Sequence, residues 1–200
     1  NLEALFMGQI GLLNGENPDQ YFNDLKLSYQ YLSHKHKLEN QSVLPAQFYR
    51  LRPLHFPTMR LAQMAGLYQM HQSLFSTVLE CNNLSDFYKV FDVTVSSYWQ
   101  EHYNFGTVST KSKKKLSKAF IHLILINTVV PIKFAYAKSK GIENTEAILD
   151  LIQLLPAENN SVISKFQDLR EEPITAKESQ AYIQLKSKYC EKNKCLQCAV

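Results

Sequence analysis

The chain has 200 residues, of which 45% are hydrophobic, so it is long enough to bury a substantial core. Its net charge of +4 and pI near 8.8 permit a polyanionic partner, but the bias is weaker than that of a dedicated nucleic-acid-binding domain. Four cysteines are too few for a secreted disulfide scaffold, and no basic, apolar signal stands at the N-terminus, so we expect a reducing, cytoplasmic location.

The spacing of apolar residues in the chain is typical of α-helices. Apolar residues recur with this period almost everywhere, and no period-2 alternation lasts long enough to predict a sheet. The chain begins at Asn1, without a methionine and inside a helical pattern, which indicates a fragment whose N-terminal part is missing. The sequence predicts Asn17 as an N-cap, with Pro18 at the first helical position and Gln20 as the capping-box partner. A helix should therefore run over residues 18–36.

An arginine segment (residues 48–61, FYRLRPLHFPTMRL) leads into the next helix, which should begin at Pro57. Arg50, Arg52 and Arg60 stand around its two prolines. Guanidinium groups beside the free N–H groups of a helix N-terminus suit a phosphate or a carboxylate. The alternative is that these arginines bridge helices within the fold by binding carbonyl ends and carboxylates.

An aromatic stretch at residues 98–103 (YWQEHY) contains a carboxylate and an imidazole, which are common in general acid–base catalysis. On a helix, Glu101 and His102 would point about 100° apart and would not share a face. Packing of the aromatic rings is therefore the simpler interpretation. In an enzymatic alternative, His55, Glu101, His102 and Glu158 converge on one pocket.

A lysine run follows at the start of the most apolar part of the chain, formed by Lys111, Lys113, Lys114, Lys115 and Lys118. The positive end of the helix macrodipole disfavours cations there. A contact with nucleic-acid phosphates would explain this placement. A solvated loop would explain it equally well, and no aromatic residues are interleaved to stack on bases.

The apolar stretch at residues 119–137 has the length of a membrane span, but it contains His122, Asn127 and Lys133. Each charged residue at the centre of a bilayer costs about 3 kcal/mol on insertion scales. We therefore expect a buried central helix and no membrane partner.

Three further helices are predicted toward the C-terminus. One covers residues 145–155, and the next begins at about Ser161, after a turn and cap at residues 158–160. Thr175 and Glu178 form a capping box that starts the third.

Three of the four cysteines lie close together after this last helix, as Cys190, Cys195 and Cys198 in a C-x4-C-x2-C pattern. Because the helix fixes Cys190 and the loop is short, we predict that the three sulfurs approach a common centre. Zinc or an iron–sulfur cluster would need a fourth ligand, from Cys81 or a histidine. The alternative is three reduced thiols that bind nothing.

These patterns predict an all-α fold, a single compact multi-helix domain at residues 1–189 with the apolar helix at its centre. Residues 190–200 would form a cysteine tail packed on this domain. The sequence contains no glycine-rich phosphate loop, H-E-x-x-H or G-x-S-x-G motif, so the common enzyme signatures are absent. Whether the protein is an enzyme stays open.

Several blocks of the chain resemble the C-terminal half of an uncharacterised bacterial family, domain of unknown function 2851. The blocks are residues 52–63, 98–106, 126–131, 156–159, 179–186 and 189–198. In the first block, this chain has His55 where the family pattern has Asn. The resemblance implies a missing N-terminal half with a strand-rich segment that contains His and Asp and is reminiscent of nuclease-like folds. It carries over no established activity.

We therefore expect a non-catalytic helical accessory domain that binds a partner or nucleic acid and accompanies its own missing N-terminal half. The alternative is a part of a hydrolase or nuclease whose active site is shared with that half. A purely structural role, stabilising that half, is the third possibility.

Overall fold

The computed structural model describes residues 2–143, 145–169 and 171–198, and it confirms the all-α prediction. The α-helices are α1 (Leu2–Gln9), α2 (Gln20–His36), α3 (Pro57–Met70), α4 (Leu74–Glu80), α5 (Leu84–Val90), α6 (Ser97–Glu101), α7 (Lys118–Ile124), α8 (Val130–Ser139), α9 (Thr145–Gln153), α10 (Ser161–Asp168) and α11 (Ala176–Lys188). The chain divides into two compact units, unit 1 (Asn1–Thr77 and Lys89–Leu116) and unit 2 (Val78–Tyr88 and Ser117–Val200).

Helix α2 begins two residues later than predicted. Its N-cap is Asp19, whose Oδ1 accepts a hydrogen bond of 3.0 Å from the N–H of Phe22. The predicted cap, Asn17, instead accepts the N–H of Asp19 at 2.9 Å, which makes a turn that leaves Pro18 outside the helix. The prediction was wrong because both residues are good caps, and spacing alone does not tell which one the chain uses.

The described residues contain one short hairpin, besides an isolated antiparallel bridge between Pro156 and Thr175. Strand β1 (His102–Asn104) pairs antiparallel with β2 (Thr107–Val108), and Gly106 adopts a positive φ of 70° in the turn. Strands of two and three residues are too short to produce a visible alternation, so periodicity did not predict them.

The core of unit 1 forms where α1 packs on α2 and α3. Its buried residues are Ala4, Met7, Leu13, Phe22, Leu25, Met59, Ala62, Val95 and Trp99. Gly8 allows the close approach of α1 to α2, since a Cβ at this position would lie 2.1 Å from the ring of Tyr29. A larger residue at position 8 would therefore push the two helices apart.

In unit 2, the predicted apolar helix is present as a continuous helix from Lys118 to Ser139. A π-helical turn, Leu125–Val129, joins α7 to α8 just before Pro131, which cannot donate a backbone hydrogen bond. One stripe of the helix is buried, formed by Ile121, Leu125, Ile126, Val129 and Ala137. In the described part of the chain, this helix alone is long and apolar enough to cross a bilayer, and 28% of its apolar window is buried, which is less than expected for the buried central helix that the sequence predicted.

Lys133 is buried in this helix and binds the end of α4. Its Nζ donates to the carbonyls of Leu79 at 2.7 Å and Cys81 at 2.6 Å, and more weakly to that of Val78 at 3.4 Å. Burial lowers the pKa of Lys133. The lysine therefore satisfies the free carbonyls at the C-terminus of α4, which is also the end of the helix dipole that favours a cation.

The caps predicted near the C-terminus are confirmed. The Oγ1 of Thr175 accepts the N–H of Glu178 at 3.3 Å, and the carboxylate of Glu178 accepts the N–H of Thr175 at 3.0 Å. Asn160 caps α10 by accepting the N–H groups of Val162 and Ile163. These caps fix where α10 and α11 begin, and both helices pack together in unit 2.

Candidate nucleic-acid interface

The arginine segment is held in shape by a turn and an aromatic contact. The N–H of Leu51 donates to the carbonyl of Phe48 at 3.2 Å, and the rings of Phe48 and Phe56 meet edge to face at 5.2 Å. Arg50 occupies the third position of this turn with a φ of 59°. This left-handed conformation is usually adopted by glycine or asparagine, so an arginine there carries a backbone cost.

Arg50 and Arg52 are both exposed on this segment. Within the described residues, neither guanidinium forms a salt bridge with a carboxylate. Their donors therefore face solvent, which fits the anion-binding interpretation better than the helix-bridging one.

Arg60, by contrast, bonds inside the fold. Its Nη1 donates to Oε1 of Gln63 at 2.9 Å, and its Nη2 lies 2.9 Å from Nδ1 of His55. Burial lowers the pKa of this guanidinium. Arg60, the only one of the three predicted arginines that is partly buried, thus bonds to side chains of its own helix and of the turn before it, and these contacts do not bridge two α-helices.

Two lysines of the run pair with carboxylates of unit 1. Lys111 lies 3.0 Å from Glu101, and Lys115 lies 2.5 Å from Asp92, in exposed ion pairs. Lys113 is exposed. Exposed pairs contribute only about 0 to 1 kcal/mol to stability, but the carboxylate beside each of these lysines offsets its charge, so the two lysines attract a phosphate less than unpaired cations would.

Lys114 corrects the predicted anion site, because its side chain is buried with 5% exposure. Its Nζ donates to the carbonyl of His102 at 2.8 Å and to Oγ of Ser109 at 3.0 Å, and it lies 3.7 Å from the centre of the Tyr103 ring. Lys114 is also the one lysine of the run whose backbone has a positive φ, of 44°. This lysine supports the hairpin and is not available to a phosphate.

Two exposed tyrosines of unit 1 with a cation near the ring were missed by sequence reasoning. Tyr49 is 77% exposed, with the guanidinium of Arg50 5.0 Å from the ring centre. Tyr31 is 65% exposed on α2, with Nζ of Lys35 5.8 Å from its ring centre. The signal was present in the sequence, because Tyr31 and Lys35 stand four residues apart on a helix and therefore share a face.

Both tyrosines belong to one basic stretch, residues 31–60, which lies within unit 1. The stretch has five cationic residues and one carboxylate, Glu39, so its net charge of +4 equals that of the whole chain. Its cations are Lys35, Lys37, Arg50, Arg52 and Arg60. The lysine run at residues 111–118 carries a further five positive charges and no carboxylate, and carboxylates elsewhere in the chain offset them.

The four side chains of the enzymatic alternative each have a separate structural partner. His55 contacts Arg60, Glu101 pairs with Lys111, and the carboxylate of Glu158 accepts a hydrogen bond from Gln180. Three of them lie in unit 1, and Glu158 lies in unit 2.

His102 is held by the backbone and ring of Tyr98. Its Nδ1 lies 2.9 Å from the carbonyl of Tyr98, and the two rings stack at 4.0 Å. Because a carbonyl can only accept, Nδ1 of His102 carries the proton. The ring of Tyr98 also stacks on that of Tyr21, with the ring centres 4.1 Å apart.

Two carboxylates accept the hydroxyls of these tyrosines. Tyr21 donates to Glu3, which also accepts the indole N–H of Trp99 at 3.0 Å, and Tyr98 donates to Asp19 at 2.6 Å. Burial and the bond to Glu3 raise the pKa of Tyr21, and burial and the bond to Asp19 raise that of Tyr98. The network links α1, α2 and α6 and explains the aromatic stretch as packing.

A family model described as Protein of unknown function (DUF2851) matches residues 1–161, most of the chain. The chain belongs to this family. No curated protein and no solved structure matches the chain. The family match includes the basic stretch, the lysine run and the hairpin, so the candidate interface lies in the part that the DUF2851 family defines.

The cysteine tail lies beyond the DUF2851 match. Cys190 and Cys195 are exposed in short 3-10 turns, Cys198 is partly exposed, and Cys81 is buried. Within the described residues, which exclude 199 and 200, no three His, Cys, Asp or Glu side chains are grouped to hold a metal. Cys190 and Cys195 lie in two separate 3-10 turns and Cys198 follows the second, so the described residues show no metal-binding group of three around them, and the metal site stays a prediction.

A cavity of about 370 Å³ in unit 2 of this DUF2851 member contains none of the predicted site residues. Its lining comprises Phe134, Ala137, Lys138, Gly141, Ile142, Glu143, Thr145 and Ile148. The candidate interface therefore remains the basic stretch, which is an exposed surface and not a cavity.

Proposed function

We propose that this chain is a non-catalytic helical accessory domain that binds nucleic acid through the basic stretch at residues 31–60. The observation that carries the proposal is the exposure of Arg50 and Arg52, neither of them paired with a carboxylate in the described residues. Two unpaired guanidinium groups offer forked donors that match phosphate oxygens. Nucleic-acid affinity arises largely from such contacts, through release of the counterions that surround the phosphates.

The rest of the basic stretch supports the same partner. Its net charge of +4 would attract a polyanion, and its exposed tyrosines provide flat surfaces that an acidic protein surface would not require. The lysine run adds less than its sequence suggests, since Lys114 is buried and Lys111 and Lys115 already pair with carboxylates. We therefore place the main phosphate contacts at Arg50 and Arg52.

The hydrolase or nuclease alternative has less support. Catalytic groups need to reach a reacting atom together. His55, Glu101 and Glu158 are each engaged by a neighbouring side chain, and His102 stacks on Tyr98. No observation gathers them around a substrate.

Binding of a labelled oligonucleotide of about 15 nucleotides, followed by fluorescence anisotropy, tests the proposal. The Arg50→Gln/Arg52→Gln variant should bind about tenfold more weakly or worse, since a hydrogen bond to a charged group contributes roughly 1.5 kcal/mol or more. The matched control is Lys111→Gln/Lys115→Gln, which removes the same charge from residues already paired. Equal losses in the two variants, or no binding by the unmodified chain, would show that the proposed interface is wrong.

A further inference from the structure

We infer that the nucleic acid bound by the basic stretch is single-stranded, and that its unpaired bases stack on Tyr31 and Tyr49. The inference rests on the proposed function and specifies the class of ligand. It comes from the two exposed tyrosine rings, which phosphate contacts alone do not explain.

Tyr49 is presented by the turn of the arginine segment. The turn is closed by the hydrogen bond from Leu51 to Phe48, and Phe48 is fixed against Phe56. Tyr49 itself is 77% exposed, and Arg50 beside it occupies a backbone conformation unusual for arginine. In this segment, Phe48 therefore packs against Phe56, whereas the ring of Tyr49 stays in solvent next to the guanidinium group of Arg50.

Tyr31 is presented by α2, one turn before that helix ends. Lys35, four residues later, places its ammonium group 5.8 Å from the ring centre. Each tyrosine therefore combines a ring that can stack on a base with a cation that can reach the adjacent phosphate. Both pairs belong to unit 1, and Tyr31 and Tyr49 are 18 residues apart in the sequence.

A single strand suits this arrangement better than a duplex. In a duplex, the faces of the bases are covered by their neighbours, so an exposed ring has nothing to stack on unless base pairs open. Duplex readers usually place a helix or a strand pair in the major groove. Residues 38–52, which include Tyr49 and Arg50, form no helix or strand, whereas single-strand binders combine cations with aromatic rings at the surface.

Three probes of equal length, each measured for binding to the full 200-residue chain, separate the contribution of base stacking from that of phosphate contacts. They are a single strand, the same single strand with abasic sugars, and the duplex. We expect the single strand to bind at least tenfold more tightly than the abasic strand, because only the former has bases to stack. If the abasic strand or the duplex binds as tightly as the single strand, the stacking inference is overturned.

Two substitutions locate the effect. Tyr31→Leu and Tyr49→Leu keep an apolar side chain but remove the ring, and each should weaken single-strand binding by roughly five- to a hundredfold while leaving abasic-strand binding unchanged. The control is Tyr136→Leu, since Tyr136 also has a lysine, Lys140, 5.8 Å from its ring centre but lies in unit 2.

The outcomes also separate this inference from the proposed function. If all probes bind equally and binding still depends on Arg50 and Arg52, the stacking inference fails and nucleic-acid binding stands. If no probe binds, both fail. Unchanged melting temperatures for the two leucine variants, both at exposed positions, show that a loss of binding does not come from unfolding.

Discussion

The side-chain amide of Gln63 donates a hydrogen bond of 2.9 Å to the backbone carbonyl of Lys114, 51 residues later in the chain. The other end of the same amide accepts a hydrogen bond from Arg60. Gln63 is buried, with 4% exposure, and it therefore fastens the lysine run to the same helix that holds Arg60. One amide thus connects the two basic regions that the sequence singled out.

Replacing Gln63 with leucine should destabilise unit 1 by about 1 to 3 kcal/mol, because it leaves the buried carbonyl of Lys114 without its donor. Urea unfolding measures this change. Gln100→Leu, at a partly exposed position of α6, is a comparison outside this bridge. A Gln63→Leu variant as stable as the unmodified chain would contradict the bridging role.

Adjacent lysines should differ sharply in their effect on stability. Lys114→Met removes the donor to the His102 carbonyl and to Ser109, and should cost about 2 kcal/mol. Lys113→Met, at an exposed position, should change the free energy of unfolding by less than about 0.5 kcal/mol. Similar values for the two variants in urea unfolding would mean that Lys114 is not buried as described.

A second pair of lysines tests the cap on α4. Lys133→Met leaves the carbonyls of Leu79 and Cys81 without their donor and should destabilise unit 2 by roughly 1 to 3 kcal/mol. Lys138→Met, on the exposed side of the same helix, is the matched control and should be near neutral. Amide hydrogen exchange at residues 78–81 should accelerate in the first variant alone, and equal exchange in both would contradict the cap.

Asp19 should contribute to acid sensitivity. Burial alone would raise the pKa of Asp19, but hydrogen bonds from Tyr98, from Phe22 and from Gly106 together lower it. Since the folded-state pKa is then below the unfolded value, the contribution is present above about pH 4 and is lost as the pH falls through the folded-state pKa. Urea unfolding at pH 7 and pH 3 should show a smaller decrease for Asp19→Asn than for the unmodified chain. The same decrease in both would exclude this role.

The helices and several of their caps could be predicted from the sequence because the signals are local. Thr175 and Glu178 form their capping box within four residues, and the apolar run at residues 119–137 is long enough to show its period. Local signals do not rank competing caps, and for that reason the sequence does not distinguish Asn17 from Asp19 as the cap of α2. They also do not show the partner of a side chain that is distant in sequence.

The interface illustrates this second limit. Sequence reasoning treated the lysines of the run as equivalent, but the fold buries Lys114 against Ser109 and Tyr103 and leaves Lys113 exposed. Arg50 and Arg60 likewise looked alike, although only Arg60 lies beside Gln63. The cysteine spacing predicts a site because short loops permit close approach, but spacing alone does not supply the fourth ligand that a metal would need.

The salt dependence of oligonucleotide affinity tests the central claim most directly. A plot of log K against log salt concentration should be linear and negative, with a slope of about −0.7 for each phosphate contact to a single strand. In the Arg50→Gln/Arg52→Gln variant, the slope should become shallower by about 1.4, for two lost contacts. The Lys111→Gln/Lys115→Gln control should keep nearly the slope of the unmodified chain. An affinity that does not depend on salt, or a slope that the arginine substitutions leave unchanged, would contradict nucleic-acid binding through this surface.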